Sequence, residues 1–312
     1  MKVVSLFSGA GGFDLGFIQA GHKVIWANDN WQEATETYAL NLGDHIICND
    51  IREISSDDIP DSDVVIGGFP CQGFSHANTG RHEKDERNFL YLEFVRVVKD
   101  KRPSFFLAEN VKGLLSLAKG KVFEVILKDF RDLGYDIHYA VLNAANYGVP
   151  QTRERVFIFG KRLDNKESDV IFPPPHTHQK LNGMPLFENI KKWVSSGEAL
   201  ADVPEPDEVH DLMNHEASKY KLRFNRYIGH RTINPDLPFP TITSRGDDKG
   251  GVVVHHHPSN QRRISAREAA IIQSFPRSFE FVGTKTSVYR QVSNAVPPLL
   301  ARAIAQSFSS FK

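Results

Sequence analysis

The stretch "VVSLFSGAGGFDLGFIQAGHKVIWAND", residues 3–29, decides the fold. "VVSLF" (3–7) is a short apolar run of strand length, and "SGAGG" turns the chain. "GFDLGFIQAG" (12–21) has helical spacing and closes on a glycine suited to the position just past a helix end. "VIWAN" (24–28) is a second buried strand. A strand, a glycine-rich turn, a helix and a second strand make a βαβ unit. The pattern continues outward. "WQEATETYALN" (31–41), "FLYLEFVRVVKD" (89–100) and "KVFEVILKDFRDLG" (121–134) read as helices. "HIIC" (45–48), "DVVIGG" (63–68), "SFFLAEN" (104–110), "DIHYAVLN" (136–143) and "RVFIFG" (155–160) read as strands. This alternation predicts an α/β fold with a doubly wound, mostly parallel sheet, whose ligands bind at the carboxyl ends of the strands.

After Gly160 the texture changes. "FPPPHTH" (172–178) and "DVPEPDE" (202–208) are proline-rich and irregular, and the next clear helix is "ISAREAAIIQSF" (264–275). A last helix is expected from about Pro298 to Ser307. The division that follows is a larger domain of residues 1–180 plus 288–312 and a smaller, irregular one of residues 181–287, with the last helix returning to the larger.

The chain of 312 residues has equal numbers of acidic and basic side chains, but they are unevenly spread. Acidic residues dominate positions 1–100. Residues 219–267 hold ten Lys or Arg against three Asp, a face that suits a polyanion. No apolar run approaches the roughly 20 residues of a membrane span. The start lacks the long apolar stretch of a secretory signal. Two distant cysteines, Cys48 and Cys71, make neither a disulfide framework nor a zinc pattern. A cytoplasmic protein is expected. The run "HHH" (255–257) cannot turn three side chains of one strand to a single ion, and no carboxylate neighbours it, so no metal is expected.

The glycine turn is not the G-x-G-x-x-G of dinucleotide folds, and no Lys-Ser/Thr follows to hold a phosphate chain. Asp29, at the end of the second strand, stands where an acid accepts hydrogen bonds from ribose hydroxyls. Asp50 and Ile51, after the third, are placed to hold an adenine edge. Together they suggest a nucleoside without a phosphate chain. At the same edge "GGFPCQGFSHAN" (67–78) presents Cys71 among Gly, Ser, His and Asn, as a nucleophile rather than a packing residue. Glu109 ends the fifth strand. "QTRERVFIF" places Gln151, Arg153 and Arg155 on one face of an entering strand. The set is a nucleophile, a carboxyl acid and fixed cations beside a nucleoside cofactor.

These residues resemble the DNA (cytosine-5)-methyltransferases of bacterial or phage restriction-modification type. "LFSGAGG", "GGFPCQGFS", "ENV" (109–111), "QTRERVFIFG", "QRRISAREAAIIQSFP" (261–276) and "QVSNAVPPLLARAIA" (291–305) occur in that family's motif order across nearly the whole chain. The resemblance implies a Rossmann-like methyltransferase sheet with a smaller target-recognition domain, and S-adenosylmethionine as cofactor. It implies that Cys71 adds to C6 of a flipped-out cytosine, Glu109 stabilises the ring, and Arg155 donates to O2 with Arg153 in support. Cofactor contacts are implied at Phe7, Gly9, Ala10, Gly11, Gly12, Asp29, Asp50, Ile51, Pro70, Leu90 and Asn294. DNA contacts are implied at Gln72, Ser75, Arg87, Arg226, Arg231, Thr243, Arg245 and Gly246.

The family often has an aromatic directly after the second strand's acid, to stack on adenine. Here Asn30 stands there and Trp31 follows, so either Trp31 or another side chain takes that role. The expected partner is double-stranded DNA, with a restriction endonuclease acting separately on the same sequence and the chain itself a monomer. Three other readings are open. One is the tRNA-methylating branch, which typically carries "PPCQPF" where this chain has "FPCQGF". The others are a binding module without catalysis and an oxidoreductase with a redox-active Cys71.

Overall fold

The computed structural model describes residues 1–70, 90–165, 170–181, 189–219, 221–227, 229–243 and 253–308. A seven-stranded sheet carries the architecture. Its strands are β1 (Lys2–Leu6), β2 (Lys23–Asp29), β3 (Ile46–Cys48), β4 (Val64–Gly67), β5 (Phe105–Val111), β6 (Tyr135–Asn143) and β7 (Glu154–Arg162). They lie in the order β3-β2-β1-β4-β5-β7-β6, with β7 antiparallel to both neighbours and the remaining pairings parallel. The order reverses between β1 and β4, the switch point where open α/β sheets bind ligands.

The inner strands β1, β4, β5 and β7 are apolar on both faces because both are covered, whereas the edge strands β3 and β6 are partly exposed. Val4 and Leu6 of β1, Phe106 and Ala108 of β5, and Val156 and Ile158 of β7 point to one side. There they meet α3 (Leu90–Lys101) and α4 (Lys121–Asp132) through Phe94, Ile126 and Phe130. The alternate residues Val3, Phe105, Leu107, Phe157 and Phe159 point to the other side. Here they meet α1 (Gly12–Gln19) and the last helix, α8 (Pro298–Gln306), through Phe13, Phe17, Leu300 and Ile304. The C-terminal helix thus packs beside α1 on this face of the sheet. α1 and α8 approach so closely that a Cβ on Gly16 would lie 2.3 Å from the Ala301 Cβ.

The second part of the chain has little regular structure: α5 (Ser196–Leu200), α6 (Ala266–Ile272) and α7 (Lys285–Asn294), besides two short strands. A third apolar cluster joins Leu200, Ile233, Phe239, Ile242, Phe275 and Phe281 to Val288 and Val292 of α7. Among the described residues this cluster also takes in Ala10 of the glycine turn. Three local expectations are corrected. The helix over 264–275 is shorter, because Ser265 and Glu268 form a capping box at its start and Ser274 leaves the helix with φ 68°. α7, not expected from the sequence, starts where Thr284 caps the Ser287 N–H. Gln151 and Arg153 precede β7 rather than belong to it. Their segment lies along residues 239–242, and the Thr152 N–H donates to the Phe239 carbonyl at 2.8 Å.

Candidate active site

The carboxyl ends of β1, β2, β4 and β5 open into one cleft of about 1150 Å³. That is more than one small ligand needs, and leaves room for a nucleoside cofactor beside a base. One end is built by the glycine turn. Phe7 and Gly9 both hold φ 54°, and Gly11 holds 88°, a region that favours glycine. The Ser8 N–H donates to the Asn28 carbonyl at 3.0 Å, and the Gly9 N–H to Asp29 Oδ2 at 2.8 Å. The Trp31 N–H donates to Asp29 Oδ1 at 2.9 Å. Burial raises the Asp29 pKa, and these backbone donors oppose the rise. The buried Asn28 amide donates to the carbonyls of Ile47 (3.1 Å) and Asn49 (2.8 Å), which brings Asp50 to the same edge. Arg52 grips Asp50 through both carboxylate oxygens and lowers its pKa. Ile51, 2% exposed, supplies an apolar floor.

The other end is acid and cation together. Glu109 meets Arg155 at 3.1 Å, Oε1 to Nε, with both side chains almost wholly buried. Burial raises the Glu109 pKa, while Arg155 and then Arg153 pull against it. A carboxyl so placed holds a proton more readily than a solvated one, yet keeps a fixed cation at its side. Next to it, Asn110 donates its side-chain N–H to the Phe69 carbonyl at 2.9 Å. This pins the strand end that runs through Pro70 into Cys71.

Of the expected cofactor contacts, Phe7, Gly9, Ala10, Asp29, Asp50, Ile51, Pro70, Leu90 and Asn294 all line the cleft. Gly11 and Gly12 do not: Gly11 faces Tyr38 and Leu42, and Gly12 faces the Val296 carbonyl. Glu109, Arg153, Arg155 and Thr243 line it too. Cys71, Gln72, Ser75, Arg87, Arg245 and Gly246 lie outside the described residues. Arg226 and Arg231 sit apart from the cleft on an exposed turn with Phe224 and Tyr227; there the Arg231 Nε donates to the Arg226 carbonyl at 3.1 Å.

Arg290 of α7 was not foreseen. Its guanidinium lies 4.8 Å from the centroid of the Trp31 ring, and both side chains line the cleft. The pair is brought together because α7 docks on α2 (Gln32–Leu42) near Ser287 and Glu33. No signal in the local sequence joins residues so far apart. Arg153, expected in support of Arg155, lines the cleft beside it. Its side-chain hydrogen bonds go to the backbone carbonyls of Ile242, Ser293 and Ala295. Among the described residues no cluster of His, Cys, Asp or Glu is arranged to hold a metal, and no helix is long and apolar enough to cross a membrane.

Known proteins match this arrangement along the whole chain. The model of the C-5 cytosine-specific DNA methylases matches residues 1–310. Type II methyltransferase M.NgoFVII of Neisseria gonorrhoeae is 39% identical over 99% of this chain and 87% of its own length. Type II methyltransferase M.FnuDI of Fusobacterium nucleatum is 38% identical over 98% of this chain and 93% of its own. Among solved structures, a prophage-encoded E. coli protein described as a DNA modification methyltransferase superposes with a TM-score of 0.76 at 26% identity, over 99% of both chains. On these matches, the chain belongs to the family of C-5 cytosine-specific DNA methylases.

Proposed function

We propose that this chain transfers a methyl group from S-adenosylmethionine to C5 of a cytosine flipped out of a specific short double-stranded DNA sequence. The observation that carries the proposal is the Glu109–Arg155 pair buried in the same cleft as Asp29 and Asp50. The cofactor's chemistry fits the acidic end. Two carboxylates suit ribose hydroxyls and an exocyclic amine, Phe7 and Ile51 offer apolar surface to a purine, and the negative charge suits a sulfonium cation. When bound, S-adenosylmethionine supplies an activated methyl group next to the base.

The chain's own residues do the rest. Cytosine C5 is a poor nucleophile until C6 is attacked. The Cys71 thiolate forms the S–C6 bond, and the displaced electron pair gives C5 enamine character. Glu109, carrying a proton, donates to N3 and stabilises the ring as charge develops. Arg155 holds Glu109 and donates to O2. Once C5 carries the methyl group, a base takes the C5 proton, the C–H pair re-forms the C5–C6 double bond, Cys71 leaves as thiolate with the S–C6 pair, and Glu109 takes back the N3 proton. The target carbon is inaccessible within a duplex, so the base leaves the stack to enter the cleft. The basic turn with Arg226, Phe224 and Tyr227 supports a DNA-reading role for the smaller domain, residues 181–287. The type II names of the relatives support action on a sequence shared with a restriction endonuclease; the reading is completed by a monomer acting in the cytoplasm.

The test is incubation with methyl-tritiated S-adenosylmethionine and mixed DNA, with tRNA in parallel, followed by bisulfite sequencing of the DNA. Methylated cytosines confined to one short DNA motif are expected. Label in tRNA alone, or in neither, would overturn the proposal.

A further inference from the structure

The buried polar groups between the two halves of the cleft form one connected hub. Ile242 belongs to the segment that leads into the expected DNA-reading residues, and Ile242 and Thr243 line the cleft. Both backbone polar groups of Ile242 are held. Its N–H donates to Gln151 Oε1 at 3.1 Å, and its carbonyl accepts from Arg153 at 3.0 Å. The same two side chains reach the opposite wall. Arg153 donates to the carbonyls of Ser293 (2.6 Å) and Ala295 (3.2 Å). Gln151 donates to Gln273, whose own amide donates to the Ala295 carbonyl at 2.7 Å. Residues 294–296 form the cofactor-side wall, and they abut the glycine turn: a Cβ on Gly12 would lie 2.5 Å from the Val296 carbonyl. Gln151, Arg153 and Gln273 are at most 1% exposed. Water cannot substitute for these bonds, so displacing one wall leaves buried groups unpaired or moves the other.

We propose that Arg153 is a positioning residue which, through Gln151 and Gln273, couples DNA binding at the 242–243 segment to cofactor binding at the 294–296 wall. The inference rests on the proposed function and adds to it a route between the two ligands. A guanidinium is suited to the role, since its planar fork reaches three carbonyls from one rigid group. Linkage makes the effect reciprocal: whatever DNA does to cofactor affinity, cofactor does to DNA affinity.

The experiment measures the dissociation constant of S-adenosylhomocysteine by calorimetry, with and without saturating duplex that carries the methylated motif. Arg153→Lys keeps the charge but cannot span three carbonyls. Gln273→Met removes the bridging amide alone, at a residue that does not line the cleft. The unaltered chain should bind S-adenosylhomocysteine about tenfold tighter with DNA than without. In each variant the ratio should fall to about twofold, and a double-mutant cycle should show that the two losses do not add. A merely structural role would weaken both affinities in proportion and leave the ratio intact, which would overturn the inference. If Arg153→Lys does not fold, Gln273→Met decides by the same ratio. An unaltered chain that binds both ligands independently would overturn the coupling alone. One that does not bind S-adenosylhomocysteine at all would overturn the proposed function, and the coupling with it.

Discussion

Replacing Asp14 by asparagine should make the fold less sensitive to rising pH. Asp14 sits in the first turn of α1 with no exposed surface. Its carboxylate accepts from the Ser5 hydroxyl and the Tyr38 hydroxyl, both at 2.9 Å, and the Tyr38 oxygen lies 3.0 Å from His45 Nε2. Burial outweighs these bonds and raises the Asp14 pKa from an ordinary 3.8 to about 6. Between those two values the folded chain binds more protons than the unfolded one, so stability falls as pH rises through the interval. The full interval corresponds to about 3 kcal/mol. The portion crossed between about pH 5 and about pH 8 is about 1.4 kcal/mol, because most of the titration below pH 5 is excluded. Asparagine carries no charge at either pH, and still offers one acceptor and one donor to two hydroxyls. Urea unfolding of both proteins at the two pH values, followed by tryptophan fluorescence, isolates the term, since most other titrating groups cancel in the difference. The unaltered chain should lose about 1.4 kcal/mol relative to Asp14→Asn on going to the higher pH. A difference that stays flat, or grows with the opposite sign, would refute the reasoning.

Three other substitutions probe separate parts of the account. On the proposed mechanism Glu109→Gln removes the proton donated to N3, and it should slow methyl transfer about a hundredfold or more, with cofactor affinity kept. In the unaltered enzyme the single-turnover rate should decline as pH rises through the elevated Glu109 pKa, and the Gln variant should lack that limb. Trp31→Ala removes the ring under Arg290 and should weaken S-adenosylhomocysteine binding about threefold to thirtyfold, read by calorimetry. Gly16→Ala forces a methyl group within 2.3 Å of the Ala301 Cβ and 2.6 Å of the Arg302 nitrogen. It should cost about 1–3 kcal/mol in urea unfolding.

The sheet was legible because its signal is local. The inner strands are short runs apolar on both faces, and the helices between them show their period within a dozen residues. The edge at which Asp29, Asp50 and Glu109 would meet followed from that pattern alone. What stayed hidden depends on distant partners. The periodicity of "GFDLGFIQAG" does not reveal that Asp14 turns inward to Tyr38, because the hydroxyls that receive it lie on β1 and α2. Arg153 reads as a neighbour of Arg155 two places on. Its guanidinium also spans to residues 242, 293 and 295, which only the packing of α7 and the 239–242 segment brings near. Trp31 was visible as a displaced aromatic, but not its partner Arg290. The stretch from residue 189 to residue 281 was the least legible part, since its described apolar cluster is assembled from loops and short helices with no repeating period.

The most direct test of the central claim follows the hydrogen at cytosine C5. Duplex DNA labelled with tritium at that position is mixed with the protein and S-adenosylmethionine, and tritium released to water is counted against methyl groups gained. The account predicts one tritium released for each methyl group transferred, with no release by Cys71→Ser. Methyl transfer with the tritium retained would place the methyl group on another atom and contradict the account, as would release that persists without Cys71.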